Sequence, residues 1–218
     1  MIDNRDFFRE IAKLELTPVT IRRIVLLLVR LHYSTSKNFG KLSEQMKDYV
    51  WNEDPLKRKL QTDYDYNYDA KNLDKKPAIY IGLDDIDYKK TVLENHNKFS
   101  YDLSGQHLIK TASTKIIIRH VGTSADEALT LENLTAQFFL GIQPMIRETL
   151  PQVLEYEVLR STSSKPFERT STQALQEFIS DTILAFSYNS AWMVSFESHR
   201  IKTISFSQCL AECGKERK

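Results

Sequence analysis

Apolar residues recur at helical spacing near the start of the chain, where Phe7, Phe8, Ile11 and Leu14 define one amphipathic stretch. A second is introduced by Thr17-Pro18, a residue that can cap followed by one that loses no needed donor at the first helical position. In it Ile21, Ile24, Val25, Leu28 and Val29 share a face that Arg22, Arg23 and Arg30 mostly avoid. The pattern predicts a pair of short helices joined at Glu15 to Thr17.

The character changes between Lys37 and Lys76, where Lys, Asp, Tyr and Asn dominate. Tyr64, Tyr66 and Tyr68 alternate with polar residues, which fits either a half-buried strand or a loop anchored by its rings. From Pro77 the pattern turns strand-like: Ala78-Ile79-Tyr80-Ile81 is apolar and closed by Gly82, and a weaker run surrounds Tyr88 to Leu93. Asn95 to Lys98 and Ser104-Gly105-Gln106 read as loops.

The clearest unit follows. Lys115 to Val121 predicts a strand ended by Gly122, and Ser124-Ala125-Asp126-Glu127 has the form of a capping box opening a helix. Ala128, Leu131, Leu134, Phe138, Ile142 and Met145 make its apolar stripe, with a break expected near Gly141 and Pro144. Beyond Pro151 the alternation of Leu154, Tyr156 and Val158 with Glu155 and Glu157 predicts a strand with one wet face. Ser161 to Thr172 reads as a polar loop. Ile183 to Tyr188 and then Trp192, Val194 and Phe196 flank Asn189-Ser190, which predicts a hairpin, with a bend near Ser198-His199-Arg200.

Strands on both sides of one long helix give an α+β fold: a mostly antiparallel sheet packed by that helix, with the N-terminal helical pair added. The expected units are residues 1–76, comprising the helical pair and the tyrosine-rich connection, residues 77–208, and a polar tail at 209–218.

Composition narrows the function classes. Thirty basic against twenty-nine acidic residues leave a formal charge of +1, so no global field draws the chain to nucleic acid or an anionic membrane. The longest apolar run, at Ile24 to Leu31, is interrupted by Arg30 and is short of the roughly 20 residues that a spanning helix needs. The first residues mix charges without the order of a secretory signal, so a cytoplasmic setting is expected. Cys209 and Cys213 read as two reduced thiols, too few for a structural zinc shell.

Two sharper chemistries are weighed against structural readings. Asp84, Asp85 and Asp87, near Lys89 and Lys90, are the residue types that hold Mg²⁺ in a metal-dependent nuclease, but neighbouring positions on a strand diverge and a solvated turn explains them. Arg22 and Arg23 after a short turn suggest a helix-turn-helix DNA-binding protein, but the branched aliphatics beside them call for burial. The five histidines are scattered, and His120 beside Arg119 reads as an interface residue or a satisfied imidazole. None of the six glycines forms a phosphate-cradling loop. No enzyme and no cofactor are expected.

The unit from Thr114 to Phe206 resembles the tail-terminator and tail-completion proteins of tailed bacteriophages. The resemblance lies in a strand ending Arg119-His120-Val121-Gly122, a helix opened by Thr123-Ser124-Ala125-Asp126-Glu127-Ala128, and strands finishing in Trp192-Met193-Val194-Ser195-Phe196-Glu197-Ser198-His199-Arg200-Ile201. It implies a virion structural protein, assembled in the host cytoplasm into a homo-oligomeric ring, commonly sixfold, at the tail or the head-tail neck. The partners it implies are copies of the chain itself and proteins of the tail tube, neck or portal, with passive contact to DNA in the lumen and none to a membrane. Near-neutral charge suits a subunit that meets its neighbours through opposed patches. Candidate interface residues are Tyr64, Tyr66, Tyr68, Asp84, Asp85, Asp87, Arg119, His120, Lys165, Arg169 and Arg200.

Overall fold

A computed structural model describes residues 15–42, 44–65, 77–88, 100–102, 105–160, 165–167, 177–195 and 205–208. At 88, 100–102, 105–110, 160, 165–167, 177, 190–195 and 205–208 the description is of the backbone alone. The first amphipathic stretch, at Phe7 to Leu14, lies outside these residues, as do Tyr66, Tyr68, Arg169, Arg200 and both cysteines.

The second stretch is helix α1, Pro18–Tyr33, with Thr17 as its cap: the Thr17 hydroxyl accepts from the Thr20 amide at 3.0 Å. Eight of its sixteen residues are buried, among them Leu26 and the terminal His32 and Tyr33, so its apolar surface is wider than the predicted stripe. Arg30 lies at the margin of that surface and donates from Nε to the Thr62 hydroxyl at 3.1 Å and from a terminal nitrogen to the Thr62 carbonyl at 3.0 Å. Short 3₁₀ turns at Ser36–Leu42 and Lys47–Tyr49 carry the chain to Trp51, whose amide donates to the Tyr33 carbonyl at 2.8 Å.

The sheet is mixed. Strand β1 (Gln61–Tyr64) runs parallel to β2 (Ala78–Tyr88), which pairs antiparallel with β4 (Gly105–Gly122). Strand β4 pairs antiparallel with β7 (Glu177–Ser195), and β7 with β5 (Val153–Arg160), giving the order β1-β2-β4-β7-β5. Three short strands complete it: β3 (Ser100–Asp102) on β4, and β6 (Lys165–Phe167) and β8 (Ser205–Gln208) on β7. Helix α2 (Ala125–Gly141) follows β4, and α3 (Gln143–Thr149) follows α2. The break between them falls where Gly141 and Pro144 predicted it.

The capping box at the start of α2 forms with one difference. Ser124 Oγ accepts from the Glu127 amide at 3.2 Å, while Glu127 reaches one residue further back, to the amide and hydroxyl of Thr123. Gly122 makes the close turn into the helix. A Cβ there would lie 2.8 Å from the Ala128 amide nitrogen and 3.0 Å from the Ser124 carbonyl, so a side chain would push against backbone.

Several expectations give way to tertiary pairing. The sheet is packed by two long helices, α1 and α2, where one was expected. Asn189-Ser190 makes no turn: β7 runs through it, with Asn189 opposite Thr111 and Ser190 opposite Lys110. Gly82 does not end β2 but sits opposite Ile117, and Gly105-Gln106 starts β4 instead of closing a loop. Part of the predicted Ser161 to Thr172 loop is β6, with Lys165 opposite Ile179. A register shift between Val153 and Glu155 turns Val153 into the core and leaves Leu154 exposed, so the predicted alternation holds for Tyr156 and Val158 but fails at Leu154. In each case a long partner strand supplies ladder bonds that outweigh a local turn or periodicity signal.

The described helices α1, α2 and α3 all lie on one face of the sheet. Ile116 and Ile118 from β4, Ile79 and Ile81 from β2, and Leu184, Phe186 and Tyr188 from β7 pack with α1, Leu131 of α2 and Ile146 of α3 in one apolar cluster. That cluster takes in residues on both sides of residue 76. On the other face a smaller group forms from Ala78, Tyr80 and Val121, with Ile179 against it.

Replacing Ile118, which is fully buried, by alanine is expected to cost about 2–5 kcal/mol in urea unfolding, whereas Leu56→Ala, at a side chain 94% exposed, is expected to stay within about 0.5 kcal/mol. Gly122→Ala is expected to lower the urea midpoint by the equivalent of about 1–3 kcal/mol, and an unchanged midpoint would show that the turn into α2 is looser than its geometry implies.

Candidate interface surface and the buried polar chain

Side chains alternate across the sheet, so the residues of β4 with the parity of Ile116 and Ile118 face the helices. His120 and Thr114 share that parity, as Ser180 and Thr182 share that of Leu184 on β7, and all four are buried. Polar side chains on a helix-facing row need partners, and His120 has them on both nitrogens. Nδ1 lies 3.0 Å from the Ser180 carbonyl, which can only accept, so Nδ1 carries the proton and donates. Nε2 then accepts from the Thr135 hydroxyl at 2.9 Å.

The chain of contacts continues in both directions. The Tyr33 hydroxyl donates to the Leu131 carbonyl at 3.1 Å and lies 3.0 Å from Thr135 Oγ1, so its one proton is shared between two acceptors. The Ser180 hydroxyl donates to Glu132 Oε2 at 2.9 Å, within a residue pair that is 1% exposed on each side. Burial pushes the His120 imidazole down to about 4, only partly opposed by its bond to the Ser180 carbonyl. Burial likewise pushes the Tyr33 hydroxyl up, against the small opposing effect of Thr135.

Of the two readings of His120, the structure shows the satisfied imidazole: its strand parity points it at α2, in the core, and not at an exposed surface. His32, at the end of α1, is buried differently: it stacks on Phe138 with ring centres 4.3 Å apart and meets Tyr33 and Phe39 edge-on. Its Nε2 has no hydrogen-bond partner among the described residues, and desolvation lowers its pKa to about 4.

The remaining candidates are spread over the other surfaces. Arg119 has the opposite parity to His120 and forms a two-pronged pair with Asp181 across β4 and β7, at 3.1 and 3.3 Å, on the face opposite the described helices. Asp84, Asp85 and Asp87 are exposed and lie on β2, not in a turn; pairing with β4 keeps the backbone extended through them. The register shift between Leu83 and Asp85 places Asp85 opposite Lys115 and Asp87 opposite Ser113. No group of three or more His, Cys, Asp or Glu side chains is arranged to hold a metal ion among the described residues.

Tyr64, at the end of β1, is half-buried beneath the Arg22 guanidinium, whose central carbon is 4.8 Å from the ring centre. Arg22 also approaches Asp65 at 4.0 Å, while Arg23 is exposed. Lys165 is placed only by its strand register. Among the described candidates, Arg119 and Asp85 share the face of the sheet opposite the described helices, on the neighbouring strands β4 and β2, while His120 is enclosed. What the sequence reading missed is the chain Tyr33, Thr135, His120, Ser180 and Glu132, and the available signal was polar residues standing at core-parity positions of strands.

The same register reveals a second feature. Strands β4 and β7 pair without interruption from Gly122–Phe178 to Gly105–Ser195, and the apolar core takes in Ala112 and Tyr188 along this pair. The Asn189 amide donates to the Gln152 carbonyl at 3.0 Å, tying β7 to the turn before β5. Pairing continues for seven residues on each strand beyond Ala112 and Tyr188, about 20 Å at the rise of a β-strand, flanked by β3 and β8. No described helix is long and apolar enough to cross a membrane. Compared with protein-family models and with curated proteins, the sequence has no match.

The buried histidines set a pH dependence. Both imidazoles have a folded pKa near 4 against an ordinary 6.5, so the unfolded chain binds protons that the folded one does not. Stability is accordingly full above about pH 6.5 and falls as pH drops towards 4, by on the order of 3 kcal/mol per histidine, as read from urea midpoints across that range. Tyr33→Phe, which removes the hydroxyl shared by Leu131 and Thr135, is expected to cost about 1–2 kcal/mol at pH 7. A Tyr33→Phe protein as stable as the parent would mean that the polar chain is not under tension from burial.

Proposed function

We propose that this chain is a non-enzymatic structural subunit that assembles with copies of itself into a ring at the tail or neck of a tailed bacteriophage. The observation that carries the reading is the β4–β7 ribbon. Its strands are 18 and 19 residues long, while the 17 residues of α2 span about 25 Å. On this reading the far end of the long, uninterrupted pair offers backbone edges and side chains to a neighbour. The short β3 and β8 strands flank that end, and short edge strands limit indiscriminate pairing.

The resemblance of Thr114 to Phe206 to tail-terminator and tail-completion proteins supplies the place of assembly, the sixfold expectation and the partners: tail-tube, neck or portal proteins, with DNA passing through the lumen. Formation of the virion in the host cytoplasm belongs to the same reading. Heterologous contacts that close need two different surfaces on each subunit. On this reading the ribbon is one, and the face opposite the described helices, bearing Arg119, Asp181, Lys115 and Asp85, contributes to the other, its mixed charges suiting a near-neutral chain.

Sedimentation velocity and negative-stain imaging of the purified protein test the proposal: closed rings of about six copies are expected from the resemblance, and a strict monomer at every concentration would overturn it. Ile109→Pro, within the far end of the pair, is expected to reduce assembly while the circular-dichroism spectrum and unfolding midpoint of the core stay close to the parent. Undiminished assembly in that variant would remove the ribbon from the contact.

A further inference from the structure

We draw no further inference here: the strongest candidate, the face of the sheet opposite the described helices where Ile117, Ile183 and Leu159 stand in one cross-strand row between charged neighbours, carries nothing, because nothing in the structure shows what covers it.

Discussion

The arrangement of this protein depends on His120 being hydrogen-bonded on both sides inside the core. Its ring joins β4 to β7 through the Ser180 carbonyl and to α2 through Thr135, and Thr135 meets Tyr33 at the end of α1. Four elements from distant parts of the chain therefore have one relative position in which every contact is made. Apolar packing tolerates small slides at little cost, whereas a buried donor or acceptor that loses its partner costs roughly 1–3 kcal/mol. The polar chain thus selects one packing among the many that the surrounding aliphatics would accept. Glu132 extends the constraint, because its carboxylate needs the Ser180 hydroxyl to remain on the helix-facing side of β7.

Local signals in the sequence were readable where the structure is decided locally. Thr17-Pro18 and Ser124 to Glu127 start helices through contacts only three or four residues apart, and the break at Gly141 and Pro144 follows from the same short range. The strand around Ile116 to Val121 announced itself by its β-branched run. Asn189-Ser190 misled because its turn propensity is a property of the dipeptide, whereas the strand that holds it extended lies nearly eighty residues earlier. Similarly, Val153 and Leu154 exchange roles because of a register shift that no alternation pattern encodes.

The candidate residues show the same division. Arg119 was readable as a surface residue, but its partner Asp181 was not, since pairing across β4 and β7 requires the register. His120 stood next to it in the sequence and belongs to the opposite face. Adjacent residues on a strand have opposite environments, so a functional reading that groups neighbours in sequence groups the wrong side chains. Tyr33, Thr135 and Ser180 were invisible as a set: each is ordinary alone, and only the superposition of two helices on two strands brings them together.

The register also separates the rigid part of the sheet from the part that bends. Strand β2 shifts register against β4 between Leu83 and Asp85, and β5 shifts against β7 between Val153 and Glu155, so each flank carries an irregularity that increases local twist. The central β4–β7 pair has none over its whole length. The flanks therefore carry the irregularities while the register of the central pair stays unbroken. Because His120 and Ser180 fix that pair near one end, the direction in which its other end leaves the core is set by the same buried contacts. If the chain is the ring subunit proposed above, this matters more than affinity: closure depends on a constant angle between successive copies, and a wavering ribbon would build open chains of variable pitch. A ribbon continuous with the core transmits its orientation to whatever it touches, which a separately hinged arm would not.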